Sequence, residues 1–475
     1  MMSIAPALSH VRQTGFLRSA LSEEGLVSLV TFRKWLSERR SEAPMEVRRV
    51  PFSGMKGWTF AGDPSCLRHS SGKFFTVEGL KIETDFGPVR YWSQPIIRQP
   101  EIGILGFVTH KFDGVCHFLI QAKAEPGNIN TMQLAPTVQA TRSNYTRVHG
   151  GAGQPFLEYF LDSHRANILV DQLQSEQASR FLQKRNRNMI VEVTEDIPIP
   201  DNFLWVTLGQ LQRLTREDNM LNMDARSVLS CICLERPGDR DDGLADQTSG
   251  FGRELLRSLD EEQSPMYSDI AILQWLSMLR STYFMNLTQV PLNQLEQWTC
   301  SDTSIRHESG RYFSVIGVEV EARGREVCHW TQPMLEHSNE GLNGFLLQRI
   351  NGMLHFLVRA CAYPGNRELF ELGPTVSRSN AARVAGHLDA PPFLNLFLNP
   401  PEGSIRYKAF QSEEGGRFYH YQNQYILLEA TPEERLEIPP THCWMTLRQI
   451  RDLLRHGYFT IEARNILACL DFTSS

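Results

Sequence analysis

Residues 123–151 read KAEPGNINTMQLAPTVQATRSNYTRVHGG, and from residue 361 the chain reads CAYPGNRELFELGPTVSRSNAARVAGH. Pro-Gly-Asn, then Pro-Thr-Val, then Arg-Ser-Asn occur in the same order in both. Two copies of so long a motif point to a repeat, and the repeat extends outward in both directions. Toward the N-terminus, FRKWLSERR around Trp35 matches LQWLSMLR around Trp275, and Val50-Pro51 and Val290-Pro291 lead to Trp58 and Trp298. LRHSSGKFFTVEGL from Leu67 pairs with IRHESGRYFSVIGV from Ile305, and YWSQPII from Tyr91 with HWTQPML from His329. Toward the C-terminus, WVTLGQLQRL from Trp205 returns as WMTLRQIRDL from Trp444, and DARSVLSCI as EARNILACL.

Solenoid units are about 20 to 50 residues long and occur three or more times. Two copies of roughly 200 residues instead indicate duplication of a whole domain of ordinary size. The expected organisation is a first module over 1–235, a charged linker over 236–265 that carries at most a short helix, and a second module over 266–475. Each module opens on an amphipathic helix, near 22–40 and near 266–283, and continues in alternating apolar and polar segments that predict strands. The fold class is α+β, two tandem modules of mixed β-sheet with flanking helices.

Composition excludes several classes. At 475 residues, 41% hydrophobic, 21% charged, with net charge -6 and pI near 6.2, the chain has no excess of Lys and Arg to neutralise phosphates along a nucleic acid or a membrane surface. No apolar run reaches the roughly 18 residues of a membrane span. The N-terminal MMSIAPALSHVRQTGF lacks the basic start and apolar core of a secretory signal. Nine cysteines without a CxxC pair read as reduced thiols in a cytoplasmic protein, and Cys231 and Cys233 as packing. GxGxxG opening a βαβ unit, a P-loop, HExxH and GxSxG are all missing, which removes support for a nicotinamide enzyme, a P-loop ATPase and a serine hydrolase.

In VCHFLIQAKAE, alternation puts Cys116, Phe118, Ile120 and Ala122 on one strand face and His117, Gln121, Lys123 and Glu125 on the other. The polar row reads either as a cleft wall or as an ordinary wet sheet face. Pro126 to Asn128 is turn chemistry kept at Pro364 to Asn366. Arg142, Arg147 and their counterparts Arg378 and Arg383 are either diphosphate clamps or surface charges. His117, retained as His355, and the pair His69 and His307 read first as hydrogen-bonded architecture. Where the copies differ, Lys123 becomes Cys361, Glu125 becomes Tyr363, Tyr145 becomes Ala381 and His149 becomes Ala385. The second copy has lost acid and base groups, so the first is nominated for chemistry. Each nominee also has a structural reading, as a strand-end charge, its counter-charge, a packing aromatic and a loop histidine.

WSQPIIRQPEIGILGF followed by the 123–151 motif resembles the NDP-hexose 2,3-dehydratase family of deoxysugar and antibiotic biosynthesis, over both modules. That resemblance implies Nudix-like modules and a homodimer. It implies removal of the C2 hydroxyl from a dTDP-4-keto-6-deoxyglucose, and an unstable 3,4-diketo product passed to a partner 3-ketoreductase. The Nudix metal box is not found: GRELLRSLDEEQ lies in the linker with the wrong spacing, so no metal and no redox cofactor is expected. Under the resemblance Lys123 stabilises the C4 oxyanion and Glu125, Tyr145 and His149 supply base and acid. Substrate contacts fall to Trp92, Gln94, His117, Gln121, Asn128, Arg142, Asn144 and Arg147, with Trp92 on the base. Trp330, Gln332, Arg378, Asn380 and Arg383 form a second nucleotide pocket without turnover. A nucleotide-sugar binding or scaffolding protein, and a nucleoside diphosphate hydrolase, are the competing readings.

Overall fold

The computed structural model describes residues 15–141, 154–234, 248, 250–260, 264–323, 327–378, 390–431 and 434–473. The expected opening helices are Leu29–Glu42 and Asp269–Thr282. Ser28 and Ser268 cap them, each Oγ accepting the N–H three residues on at 3.2 Å. Trp35 and Trp275 tie them down by donating to the carbonyls of Asp201 and Pro440, both at 2.8 Å.

The strands of the first module are β1 (Met45–Val50), β2 (Trp58–Ala61), β3 (Cys66–His69), β4 (Thr76–Thr84), β5 (Tyr91–Arg98), β6 (Gly103–Phe112), β7 (Val115–Ala124), β8 (Met132–Ala135), β9 (Val138–Ala140), β10 (Asn167–Ser175), β11 (Arg185–Glu192) and β12 (Phe203–Thr207). Those of the second are β13 (Met285–Val290), β14 (Trp298–Cys300), β15 (Ser304–His307), β16 (Ser314–Ala322), β17 (His329–Glu336), β18 (Gly341–Ile350), β19 (Met353–Cys361), β20 (Glu371–Gly373), β21 (Val376–Arg378), β22 (Ile405–Ser412), β23 (Phe418–Tyr419), β24 (Gln422–Glu429) and β25 (His442–Thr446). Each module holds a larger mixed sheet. In the first the order is β10-β11-β6-β7-β12, and in the second β22-β24-β18-β19-β25, with β11 parallel to β6 and β24 parallel to β18.

The smaller sheets are where the modules interlock. β1 leaves its own module and pairs antiparallel with β16, from Met45↔Ala322 to Val50↔Gly317. β13 does the reverse on β4, from Met285↔Thr84 to Val290↔Gly79. One core joins the two exchanged sheets: Phe52, Trp58, Phe75 and Phe181 pack with Leu292, Ile305, Phe313 and Phe418. The indoles of Trp58 and Trp298 reach across it to the carbonyls of Thr331 and Ser93, at 2.8 and 2.7 Å. Helix Gly250–Ser258, inside the segment read as linker, holds the place in the second repeat that Phe16–Leu21 holds in the first. Ser19 and Ser258 bond alike, accepting from Leu208 N and Leu447 N at 2.8 Å.

Two buried arginines close the junction. Arg226, in helix Met223–Leu229, donates to Asn465 Oδ1 at 2.8 Å, Gln411 Oε1 at 3.0 Å and the carbonyl of Ser412 at 2.5 Å. Arg464, in helix Ile461–Leu467, donates to Ser227 Oγ and the carbonyl of Ser175. Fully buried guanidinium groups demand this density of acceptors. Among the described residues no helix is long and apolar enough to cross a membrane.

Candidate active site

The Pro-Gly-Asn turns sit where the modules touch. Gly127 N donates to Gly415 O at 2.7 Å and Gly127 O accepts from His420 N at 2.8 Å. In the other copy Gly365 N donates to Ala178 O at 2.8 Å, and Gly365 O accepts from Gln183 N at 2.9 Å. A Cβ on Gly127 would lie 1.7 Å from Phe418 O, and one on Gly365 1.8 Å from Phe181 O. Glycine is required at both by the close approach of foreign backbone. Asn128 braces its turn by donating to Thr131 O at 3.2 Å, which explains why the motif is kept in both copies.

Directly before the first turn stand Lys123 and Glu125, brought together at 3.2 Å. Their strand face is not the open sheet surface that alternation permits, because the loop around Glu414 and Gly415 of the second module covers it: Gly415 lies over Asn128 and Glu125. Glu125 is 5% exposed, and it accepts from Gln139 Nε2 at 2.9 Å and Asn222 Nδ2 at 3.3 Å. Burial alone raises its carboxyl. The Lys123 charge and the bonds from Asn222 and Gln139 outweigh burial and hold it below the usual carboxylate range. A cleft of about 370 Å³ opens the Lys123 side to solvent, lined also by Gln121, Met45, Asn202 and Arg323.

Two more carboxyls, Asp224 and Glu414, face this pair, and a third, Glu176, faces those two. Asp224, in the first turn of helix Met223–Leu229, is 4% exposed. Glu176 accepts from Asn186 Nδ2 at 2.5 Å, and Glu414, from the second module, accepts from Gly416 N at 3.0 Å. Burial pushes all three up, Glu414 to about 7 and Asp224 well above its ordinary value, the latter reinforced by Glu176, Glu414 and Glu125. Lys184 and Arg417 are the nearby cations. The site therefore holds one carboxyl pulled down toward ionisation beside carboxyls whose hold on a proton burial strengthens. No part of Asp224, Glu176, Glu414, Asn222 or Gln139 is prominent in the motif. The usable signal was acid matched to acid across the repeat, Asp224 with Glu462 and Glu176 with Glu413.

The second module has an analogous cluster of different chemistry. Cys361, Tyr363 and Glu462 surround Arg359, and burial pushes the Cys361 thiol and the Tyr363 hydroxyl up. At neutral pH both hold their protons, and no lysine takes the place of Lys123.

The remaining nominated residues are distributed as follows. Trp92 donates to Gln94 Oε1 at 3.0 Å, and Gln94 donates to Ser179 O at 3.0 Å, in the loop that seats Gly365. Trp330 repeats this with Gln332 at 2.9 Å, and Gln332 donates to Gly416 O at 2.6 Å, beside Glu414. Trp330 packs against the same cluster of Ile316, Val318, Val320 and Met334 as Met45, which lines the Lys123 cleft. The geometry thus brings Trp330 and Gln332 toward Lys123, and Trp92 and Gln94 toward the second cluster. His117 is six residues up β7 from Lys123, roughly 20 Å at strand rise. Its Nδ1 bonds the carbonyl of Val115 at 2.9 Å, its ring meets Phe112 edge-on, and its buried Nε2 has no hydrogen-bond partner among the described residues. His69 and His307 bond Ser71 and Ser309 alike, both at 2.8 Å. Arg378 ends β21. Arg142, Asn144, Tyr145, Arg147, His149, Asn380 and Arg383 lie outside the described residues.

The sequence model of a family described as NDP-hexose 2,3-dehydratase matches residues 29–232 and 269–470, one match per repeat. Over 471 residues the chain is 43% identical to a dTDP-4-dehydro-6-deoxy-alpha-D-glucopyranose 2,3-dehydratase of Saccharopolyspora spinosa, covering 98% of this chain and 96% of that one. It is 43% identical over 480 residues to the Amycolatopsis orientalis enzyme of the same name, covering 99% and 96%. For that of Streptomyces violaceoruber the identity is 41% over 446 residues, covering 92% and 96%. A crystal structure of an ADP compounds hydrolase aligns with 34% of this chain and 83% of its own at 19% identity, with a TM-score of 0.22 that carries no argument about fold.

Proposed function

The chain belongs to the NDP-hexose 2,3-dehydratase family, and on that premise we propose that it removes the C2 hydroxyl of a dTDP-4-keto-6-deoxyglucose to give a 3,4-diketo-2,6-dideoxy sugar. The observation that carries the reading is the Lys123–Glu125 pair, a buried carboxylate held ionised at 3.2 Å from an ammonium group. The C4 ketone acidifies the C3 proton, so the reaction needs a base there and a positive group for the enolate oxygen. Glu125 is the base and Lys123 stabilises the C4 oxyanion. The elimination is redox-neutral and requires no redox cofactor.

The nucleotide is taken by tryptophan stacking and by arginines after the Pro-Thr-Val segment. Arg142, Asn144 and Arg147 serve the first site, with Tyr145 and His149 as further contacts to the sugar. Because Trp330 shares a packing cluster with Met45 and Gln332 reaches Gly416, the stacking residue of the first pocket comes from the second module. Trp92, with Arg378, Asn380 and Arg383, serves a second nucleotide pocket in which no turnover occurs. Loss of the Lys123 and Glu125 equivalents there supports binding without chemistry. The strand-for-strand correspondence of the modules supports descent from one duplicated, Nudix-like ancestor. A cytoplasmic homodimer that hands its reactive diketone to a 3-ketoreductase of deoxysugar, and so antibiotic, biosynthesis completes the reading.

The test is incubation with dTDP-4-keto-6-deoxyglucose in deuterated water, followed by proton NMR and trapping of the diketone. Loss of the C2 oxygen, abolished by Lys123→Ala, is the expected result. An intact sugar that is nevertheless tightly bound would make the chain a nucleotide-sugar binding protein.

A further inference from the structure

Among the described residues, the carboxyl of Asp224 makes no hydrogen bond and no ion pair, although it is 4% exposed. A buried carboxyl normally finds partners. Its neighbours do: Asn222, two residues earlier, caps the helix by accepting from Ala225 N at 2.8 Å and donates to Glu125 at 3.3 Å. The charged groups around it are Glu176 and Lys184 from the β10–β11 connection, Glu414 from the second module, and Glu125 and Lys123 on and after β7. Four acids so placed cannot all ionise, and the bonds from Lys123, Asn222 and Gln139 select Glu125 to carry the charge.

We propose that Asp224 is the general acid of the dehydration, protonating the C2 hydroxyl as it leaves, after Glu125 has taken the C3 proton. This rests on the proposed activity. In the first half the C3–H bond breaks, its proton goes to Glu125 and its electron pair to a C3=C4 enolate held by Lys123; the C4 ketone then re-forms, a C2=C3 double bond forms, the C2–O bond breaks, and the proton of Asp224 leaves with the oxygen as water. In the second half the enol O3–H proton passes to Asp224, the C3 ketone forms, and Glu125 returns a proton to C2. Both carboxyls regain their starting states and no co-reactant is consumed. A pair of acids in one site, driven apart in proton affinity by burial and partners, is what such a division of labour needs.

Asp224→Asn keeps the shape of the protonated acid and removes its proton. Expected are a turnover lowered at least about 100-fold, unchanged melting temperature and dTDP binding, and continued exchange of the C3 proton with solvent deuterium, because Glu125 and Lys123 remain. Asp224→Glu should restore part of the turnover. Turnover within threefold of wild type in Asp224→Asn overturns the assignment, as does loss of exchange and elimination together, which marks a merely structural residue. A wild-type protein that binds the sugar but neither exchanges C3–H nor expels water defeats the activity itself, and the role with it; an active wild type with an indifferent Asn variant defeats the role alone.

Discussion

Gly127→Ala tests whether the first site is assembled from both modules. The added Cβ would stand 1.7 Å from Phe418 O and 2.7 Å from Gly415 O, both backbone atoms of the second module. Backbone has no rotamer to give way, so the turn and the loop must part. Parting forfeits the bonds from Gly127 N to Gly415 O and from His420 N to Gly127 O, about 1 kcal/mol each. Displacing the packed segment adds about 1–3 kcal/mol, for a loss of roughly 3–5 kcal/mol in all. Glu414 precedes Gly415, so the carboxyl cluster loosens as well and dehydration slows. Urea denaturation and turnover of the variant measure the two effects. Gly250→Ala is the control: nothing lies within 4 Å of its Cβ, and a change within about 0.5 kcal/mol is expected. A Gly127→Ala protein that unfolds at the wild-type urea midpoint with full turnover would refute the interlock and the shared site together.

Lys123→Met leaves Glu125 buried without its ion partner, at an expected cost of about 3–5 kcal/mol and with loss of turnover; pairing it with Glu125→Gln should recover much of the stability and none of the activity, and recovered activity would remove both residues from the chemistry. Burial pushes the Glu371 carboxyl up to about 7 against the hydrogen bond from Ser175. The folded chain then keeps a proton that the unfolded chain releases between its ordinary value near 4.5 and about 7, so stability falls as pH rises through that window and levels above it. Glu371→Gln should flatten this slope and exceed wild type at pH 8 by up to about 3 kcal/mol, read from denaturation midpoints at pH 5 and 8; parallel curves would contradict it. Trp330→Ala should weaken dTDP binding at the site that turns over, whereas Trp92→Ala should spare it; the reverse order in a binding titration restores a site built within one module.

Much of this was legible because the chain states each element twice. Of the matched tryptophans, Trp35 and Trp275 tie helix to the turn before a strand and Trp58 and Trp298 tie module to module, and Thr207 and Thr446 carry capping boxes with Gln210 and Gln449 as such sequences do. The Lys123–Glu125 pair came from comparing the copies. What was hidden is what local pattern does not encode. β1 and β13 have similar roles in similar copies, so alternation and turn residues fit pairing at home as well as pairing abroad, and only packing decides. Likewise the polar face of β7 looks solvated in sequence because its cover, the loop after β22, lies nearly 300 residues away. Arg226 and Arg464 look like solvated charges on amphipathic helices, yet both are at 0% exposure because most of their acceptors come from the other module. Asp224 carries no signal by spacing, since its neighbours meet only through the fold.

The crossing of β1 and β13 sets an order of events at the ribosome. Gly79 of β4 is registered with Val290 of β13, so the first module's small sheet stays unfinished while about 210 further residues are made, roughly 10 to 40 s at 5–20 residues per second. Through that interval the edge of β4 is unpaired, and the strand most like its eventual partner is β1, already present. The nascent chain thus passes through a period in which a self-contained first half competes with the interlocked whole, and a truncated first half should be prone to capture strands from other chains. The proposed site, shared across the crossing, comes into being only after the second half has arrived, so no partial translation product should carry the activity.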